Sequence, residues 1–335
     1  MPKDTDEALK NIDAHKKFVF ARIGDADSLR VERIPSGSVG LDYALGGGWP
    51  RSRYVEIFGK PQSGKTLLTF FAIAEAQRMG GKAAFLDAEM TFDPDWARGN
   101  GVNVENLHFY QPSEKDTGET LFDKLIDAVE SNQFDVIAVD SVAALVPAVI
   151  LNGEMSDVTI GAHARLMSHG IAVLTPKLGA SKTVVLFVNQ TRTNPMQMFG
   201  NPETTTGGVA LPFYASIRAE VKKEYKTERL NSLKEPLGHD IEITMRKNKT
   251  APPFRKAIVP IMYATGVLKE DDYICAAKSR GIIIWDGGVK YNQEGHVPAL
   301  KDARWKSFDV FAEWFKDPAT DQTVVAALKQ EIAEC

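Results

Sequence analysis

Residues 54–66 of the chain read YVEIFGKPQSGKT. The last eight letters match the pattern G-x-x-x-x-G-K-[S/T], the mostly apolar letters before them indicate a buried strand, and the LLTFFAIAEAQRM that follows indicates a helix. In a phosphate-binding loop of this kind, backbone N–H groups and the positive end of the helix face the phosphate oxygens. The pattern therefore predicts a nucleotide site formed by Gly59, Lys60, Pro61, Gln62, Ser63, Gly64, Lys65 and Thr66.

Within that loop, we expect Lys65 to reach the β- and γ-phosphates of ATP and the Thr66 hydroxyl to bind Mg²⁺. Asp140 ends another apolar run, Val136–Val139, and a carboxylate at such a strand end is placed to hold the same ion. Hydrolysis also requires an activated water. Glu89 follows the strand Ala83–Leu86 and is our candidate for that role, with Asp87 as its competitor.

Short apolar runs alternate with segments of helical length on both sides of this loop. This alternation predicts an α/β fold with a mainly parallel, twisted sheet. After Phe213 the pattern changes to strand-like runs without helices between them, which predicts antiparallel strands that extend the sheet. We expect a polar helix over residues 4–18 and a small α+β unit from about residue 269.

Composition restricts the class of protein. The 335 residues are 44% hydrophobic and 25% charged, close to the globular average, and the net charge is only −4. This balance argues against a general polycation, although a local basic patch could still bind nucleic acid. With two cysteines and no signal peptide or membrane span, we expect a protein of the reducing cytoplasm.

Further along the chain, residues 189–192 read NQTR and residues 198–208 read MFGNPETTTGG. This pair of stretches resembles the second DNA-binding loop of the bacterial RecA recombinases. Residues 35–46, 87–89, 139–145, 213–216 and 247–249 resemble the same family, so the resemblance is dense from about residue 34 to 265. It implies an N-terminal helix and linker for protomer packing (1–33), a RecA-type ATPase core (34–268) and a small C-terminal α+β domain (269–335).

The resemblance also implies roles for single residues. Glu89 matches the glutamate that activates water, and Gln190 matches the glutamine that senses the γ-phosphate and signals to the DNA loop. Asp93 and Trp96 occupy the adenine-contacting positions, although Trp96 could instead be a core aromatic. Lys247 and Lys249 match lysines that reach the nucleotide of the neighbouring subunit. Phe213 matches an interface aromatic, and burial in its own core is the alternative.

Two DNA-binding loops are implied, over residues 152–161 and 191–208. Arginines neutralise phosphates, while loop glycines allow close approach of the backbone to a strand. The implied DNA-binding residues are Arg165, Arg192, Met198, Phe199, Gly207 and Gly208. The implied partners are single-stranded DNA, homologous double-stranded DNA and further copies of the chain in a helical filament, with no membrane.

Some positions depart from the family pattern. Ala172 stands where a second loop-helix arginine is usual, and Pro195 and Met196 replace a familiar Ile-Gly. The hairpin over 226–239 also diverges, which puts repressor-cleavage co-activity in doubt. Because the chain ends without a long acidic tail, we expect no tail-based self-inhibition. These differences indicate a diverged member of the family, for which a phage origin is one interpretation.

Three functions remain after these observations. The leading hypothesis is an ATP-dependent recombinase of DNA repair and the SOS response to DNA damage, which forms filaments on single-stranded DNA and catalyses homologous pairing and strand exchange. The second is a related ATPase, such as a hexameric helicase motor, against which the NPETTTGG loop argues. The third is a filament protein with a vestigial nucleotide site. Retention of the nucleotide-site residues together argues against it.

Overall fold

The computed structural model describes residues 31–154, 161–193, 203–292 and 296–334. The strands are β1 (Arg33–Ile34), β2 (Trp49–Pro50), β3 (Arg53–Gly59), β4 (Ala83–Asp87), β5 (His108–Tyr110), β6 (Val136–Asp140), β7 (Val184–Thr193), β8 (Glu203–Thr205), β9 (Ile217–Leu230), β10 (Pro236–Asn248), β11 (Lys256–Met262), β12 (Gly266–Val267), β13 (Ile283–Trp285), β14 (Val289–Tyr291) and β15 (Arg304–Trp305). The helices are α1 (Val39–Leu45), α2 (Lys65–Arg78), α3 (Pro94–Gly99), α4 (Gly118–Glu130), α5 (Ala148–Leu151), α6 (Ala162–Ala180), α7 (Ala210–Tyr214), α8 (Lys269–Ser279), α9 (Phe308–Lys316) and α10 (Gln322–Ala333). The predicted N-terminal helix lies outside the described residues.

One large sheet organises the chain from β3 to β12. Its strand order is β12-β11-β10-β9-β3-β7-β6-β4-β5, and β8 pairs with the far end of β7. All pairs from β9 to β5 are parallel, whereas β10, β11 and β12 are antiparallel to their neighbours. The predicted α/β fold with a mainly parallel sheet is therefore confirmed. One detail differs from the expected antiparallel extension, since β9 pairs with β3 in parallel.

This strand order decides which residues meet. In a parallel sheet the carboxyl ends of neighbouring strands lie at one edge, and ligands bind in the crevice beyond that edge. Because β3 lies between β7 and β9, the phosphate loop after β3 is placed beside the ends of β7, β6 and β4.

Both faces of the sheet are covered by apolar clusters. Helix α2 is buried nearly all round, with Phe70 and Ile73 fully buried, which explains why its sequence is apolar without an exposed stripe. Helix α4, on the other face, is amphipathic and buries Leu121, Leu125 and Val129 at helical spacing. The two packed faces keep the loop edge of the sheet fixed.

Residues 269–334, apart from 293–295, contain the predicted small α+β unit. Helices α8, α9 and α10 and the antiparallel strands β13, β14 and β15 enclose an apolar cluster of their own, with Phe311 and Leu328 fully buried. This unit is joined to α1 by Asp272, whose carboxylate accepts hydrogen bonds from the Ser38 hydroxyl (2.7 Å) and the Val39 N–H (2.7 Å). From Arg33 onward, contacts group the chain as one compact unit.

Across the described ranges, no helix has both the length and the apolar character that crossing a bilayer requires.

Candidate active site

The phosphate loop connects β3 to α2 and contains two positions that require or favour glycine. A Cβ atom on Gly59 would lie 2.2 Å from the Val221 carbonyl oxygen on β9, so no side chain fits there. Gly64, which caps α2, has a φ of 94°, in the left-handed region that favours glycine. Lys60, Pro61 and Gln62 are exposed, which leaves the outer side of the loop accessible.

Lys65 and Thr66 open α2 and point into a polar, buried site. The Lys65 ammonium donates to the Lys60 carbonyl (2.7 Å), and burial lowers its pKa although the nearby carboxylates of Asp140 and Glu89 oppose that shift. The Thr66 hydroxyl donates to the Asp140 carboxylate (2.5 Å). The Lys65 ammonium, the Thr66 hydroxyl and the Asp140 carboxylate are thus gathered at the end of the loop.

Asp140 is 3% exposed at the end of β6. Burial raises its pKa to about 6, even though the Thr66 hydroxyl and Lys65 oppose the shift. A buried carboxylate and a hydroxyl side by side suit Mg²⁺, which usually takes one or two protein oxygens and completes its shell with phosphates and water. The donors present therefore fit the predicted ion.

Glu89 lies between two strand ends. Its Oε1 atom accepts hydrogen bonds from the Gln190 amide (2.8 Å) and from the Ser141 hydroxyl. The backbone places it there, because the N–H groups of Ala88 and Glu89 both donate to the Asp140 carbonyl (2.7 and 3.1 Å). The structure thus brings together the two residues predicted for water activation and γ-phosphate sensing, which are 101 positions apart.

Ser141 was not among the residues predicted from the sequence. Its position directly after Asp140 was the available signal, since ligand-binding polar groups gather at the strand ends beside a phosphate loop. The competitor Asp87 has a different set of contacts. Its carboxylate accepts from the backbone N–H groups of Thr91 (3.2 Å) and Phe92 (3.0 Å) and so holds the loop after β4.

The predicted adenine-contacting pair lies at the start of α3. The Asp93 carboxylate caps this helix by accepting from the N–H groups of Asp95 and Trp96 (2.9 and 3.0 Å). Trp96 is 38% exposed and packs edge-on against Phe70 of α2 at 5.1 Å. Its indole N–H donates to the Tyr263 carbonyl (3.3 Å), a neighbour that sequence reasoning missed. The indole therefore packs against the core and is still partly exposed to solvent.

Both arms of the second predicted DNA loop are visible, while residues 194–202, with Met198 and Phe199, lie outside the described residues. Arg192 is exposed on β7 opposite Thr204 of β8. Gly207 and Gly208 have φ values of 96° and 74°, and a Cβ on Gly208 would lie 2.9 Å from Ala164 of α6. The returning arm therefore packs closely on α6, the helix that carries Arg165 as an exposed residue. Residues 155–160 of the first loop are outside the described ranges.

Lys247 lies on β10, which ends at Asn248, and Lys249 lies just beyond that strand. The Lys247 ammonium donates to the carbonyls of Pro212 (2.8 Å) and Phe213 (2.7 Å) at the end of α7. Burial, together with the charges of Lys249 and Arg218, lowers the pKa of Lys247 to about 8. The Phe213 side chain is 73% exposed, so its alternative assignment to the protein's own core is wrong.

Comparison with known proteins adds a family to this geometry. The family model of the RecA N-terminal domain matches residues 3–268. The chain is 45% identical to Protein RecA of Bacillus subtilis (strain 168) over 292 residues, which cover 86% of this chain and 82% of that protein. It is 44% identical to Protein RecA of Symbiobacterium thermophilum over 341 residues (99% and 92%) and 41% identical to Protein RecA of Synechococcus sp. (strain CC9902) over 319 residues (95% and 81%).

Proposed function

The chain belongs to the RecA family and is a DNA-dependent ATPase of homologous recombination and DNA repair, and from this premise we propose that it hydrolyses ATP at Glu89, beside the phosphate loop of residues 59–66. The observation that carries the proposal is the Glu89 carboxylate, held by Gln190 and Ser141 at the edge of the sheet where Lys65, Thr66 and Asp140 converge.

In the proposed mechanism, the backbone of the loop and the start of α2 hold the phosphates, and Lys65 neutralises the charge that develops on the γ-phosphoryl group. Thr66 and Asp140 would hold Mg²⁺, which would neutralise phosphate charge when it is bound. A bound cation would favour the ionised form of Asp140, which burial disfavours.

Glu89 acts as the general base. A water held by its carboxylate attacks the γ-phosphorus in line with the leaving group, the bond from that phosphorus to the β–γ bridging oxygen breaks, and the water proton passes to Glu89. Gln190 donates to the same carboxylate, so a γ-phosphate and Glu89 compete for one amide. This competition supports Gln190 as the group that senses whether ATP or ADP is bound.

The adenine of ATP and the DNA are assigned to different sets of residues. Asp93 and Trp96 would contact adenine, with the exposed indole face as the stacking surface. Single-stranded DNA would lie along the two loops, where Arg165 and Arg192 neutralise phosphates and Gly207 and Gly208 allow close approach, with homologous duplex DNA paired against it. We place Met198 and Phe199 in this contact by family resemblance alone.

Further copies of the chain would complete the site. Lys247 and Lys249 would reach the ATP of an adjacent protomer in a helical filament, and the exposed Phe213 would pack at the same boundary. We assign residues 34–268 to the ATPase core, residues 1–33 to protomer packing and 269–335 to a C-terminal domain. Since the partner is DNA, we propose the cytoplasm as the site of action.

The direct test is the rate of ATP hydrolysis with and without single-stranded DNA, with electron microscopy of the same samples. We expect DNA to stimulate hydrolysis and ATP to produce helical filaments on the DNA. Closed hexameric rings that move along DNA, with no filaments, would instead identify a helicase motor. The Lys65→Ala variant is the control for the nucleotide site, and wild-type ATP affinity in that variant would contradict the phosphate-loop assignment.

A further inference from the structure

A polar cluster with two fully buried members lies beneath the nucleotide site, on three adjacent strands. Glu56 of β3 is fully buried, and its carboxylate accepts from the Asn189 amide of β7 (2.9 Å) and from the Arg218 guanidinium of β9 (2.5 Å). Asn189 is fully buried as well. The Arg218 guanidinium also lies over the Phe58 ring at 4.6 Å from its centre. Glu56, Asn189 and Arg218 are called the strand cluster below.

The strand cluster holds the returning arm of the second DNA loop. The Asn189 amide nitrogen, which has two N–H groups, donates to the Thr206 carbonyl (2.9 Å) as well as to Glu56. Arg218 also lies 3.5 Å from the Thr205 hydroxyl, a weaker contact. Since β7 is the outgoing arm of the same loop, Asn189 ties both arms together at their base.

Asn189 is also joined to the proposed sensor. Its side-chain oxygen accepts from the backbone N–H of Gln190 (2.9 Å), and the Gln190 carbonyl accepts from the Thr206 N–H (3.4 Å). The Gln190 side chain in turn donates to Glu89. A movement of Gln190 at the nucleotide site therefore changes the position of Asn189, whose second N–H group holds the loop.

Stability alone does not explain a strand cluster of this kind. Replacing a buried ion pair by apolar residues is often neutral or stabilising, and a strand in the centre of a sheet is readily filled by Val or Ile. A fully satisfied buried network does, however, fix one geometry and make alternatives costly. The strand cluster thus provides a rigid reference on β3 against which β7 and the loop can shift.

We propose that Asn189 is a positioning residue that transmits the state of the nucleotide site to the returning arm of the second DNA loop, with the Glu56–Arg218 pair as its fixed anchor. This inference rests on the proposed function, in which Gln190 senses the γ-phosphate. Loss of the Asn189 amide leaves Gln190 free to respond to ATP, removes the side-chain connection from that response to Thr206 and leaves the weaker backbone contact of 3.4 Å between Gln190 and Thr206.

The test measures the coupling between nucleotide and DNA. For each variant, the affinity for single-stranded DNA is measured with a non-hydrolysable ATP analogue and with ADP, and the ratio of the two affinities is the coupling factor. We expect Asn189→Ala to lower this factor about tenfold, within the usual range of allosteric coupling. The reciprocal measurement, the effect of DNA on the affinity for the analogue, should fall by the same factor because binding linkage is symmetric.

A matched control lies directly before the start of β7, the strand that carries Asn189. Thr183 is also fully buried, and its hydroxyl donates to the Phe134 carbonyl (2.7 Å). Thr183→Val removes one buried hydrogen bond, and we expect it to lower thermal stability while the coupling factor stays within about twofold of wild type. An Asn189 variant that merely weakens the fold would behave like this control.

The outcomes separate this inference from the function on which it rests. If Gln190→Ala keeps full coupling, the sensor role is wrong. If Gln190→Ala loses coupling while Asn189→Ala keeps it, the inference about Asn189 is overturned. The double variant should lose no more coupling than Gln190→Ala alone, since both residues act in one path. If Asn189→Ala does not fold, Asn189→Ser replaces it, and wild-type coupling in that variant overturns the inference equally.

Discussion

At the residue scale, two carboxylates only two positions apart have different surroundings. Asp87 accepts two backbone hydrogen bonds and closes the loop after β4. Among the described residues, Glu89 accepts from two side chains, Gln190 and Ser141. Exchange of a side-chain donor for a water requires a rotamer change alone, whereas a carboxylate that holds backbone is suited to maintain the fold.

We therefore predict that Glu89→Gln lowers DNA-stimulated ATP hydrolysis about 100-fold or more, because the amide cannot accept the water proton. Nucleotide affinity should change little, since the phosphate loop is untouched. The measurements are steady-state hydrolysis and a nucleotide titration, with the exposed Glu114→Gln as the control. Near-normal turnover in Glu89→Gln would instead assign the catalytic role to Asp87. If Glu89 is the general base, we expect Asp87→Asn to reduce the stability of the fold.

At the element scale, Asp272 joins α8 to the start of α1. Burial raises its pKa from 3.8 to about 6, despite its hydrogen bonds from Ser38 and Val39. Because the folded-state pKa is the higher one, the neutral form is favoured on folding. The stability that this group contributes is present below about pH 4 and is lost as the pH rises through about 6.

In the wild type, ionisation of Asp272 lowers the free energy of unfolding as the pH rises from 4 to 7. We predict that this decrease is smaller in Asp272→Asn by on the order of 2 kcal/mol. Asp42 shifts in the same direction and remains in both proteins, so the difference between them isolates Asp272. The measurement is denaturant unfolding at several pH values. Asp271→Asn is the control, since Asp271 forms a partly exposed ion pair with Lys316 (2.7 Å). Equal pH dependence in wild type and Asp272→Asn would contradict the prediction.

The two proposed DNA loops give a second prediction at this scale. Arg165 on α6 and Arg192 on β7 are both exposed, and the returning arm of the second loop packs on α6 through Gly208. Replacing both arginines with Ala should reduce the slope of log affinity against log salt by about one to two units, because each phosphate contact releases about one counterion. Arg98→Ala on α3 should leave the slope unchanged. A wild-type slope in the double variant would show that neither arginine contacts the DNA backbone.

At the scale of the whole molecule, the active site is expected to be shared between protomers. Lys247 is held by the carbonyls of Pro212 and Phe213, and the side chain of Phe213 is exposed. Its charge thus lies at the surface where another protomer would dock. A protomer without a neighbour would hydrolyse ATP slowly, since the transition-state charge lacks the second set of cations.

We predict that Lys247→Ala/Lys249→Ala binds nucleotide but loses most DNA-stimulated hydrolysis. A mixture of this variant with Glu89→Gln should recover part of the activity, because each protein supplies what the other lacks at one kind of boundary. The control is Lys256→Ala, whose ammonium pairs with Glu242 (3.1 Å) on the protein's own β10. If both variants assemble together on DNA and their mixture gives only the sum of the separate rates, the lysines do not act across the boundary.

Much of the fold and of the nucleotide site is predictable from local sequence. Examples are the phosphate loop, the strand that ends at Asp140 and the helix after Thr66. Each depends on neighbouring residues and on the spacing of apolar side chains, and a single stretch of sequence contains both. The candidate pair Asp87 and Glu89 was also found in this way, although their local patterns do not distinguish them. Short-range backbone geometry and hydrophobic burial are sufficient for these features.

Only the tertiary structure decides which of these features touch one another. Three of the contacts join residues that are far apart in the chain. They are the parallel pairing of β9 with β3, the Ser141 contact to Glu89 and the hydrogen bond from Asn189 to Glu56, whose partners are 133 positions apart. Strand order sets these contacts. That order follows from packing both faces of the whole sheet at once, so no single stretch of sequence contains it.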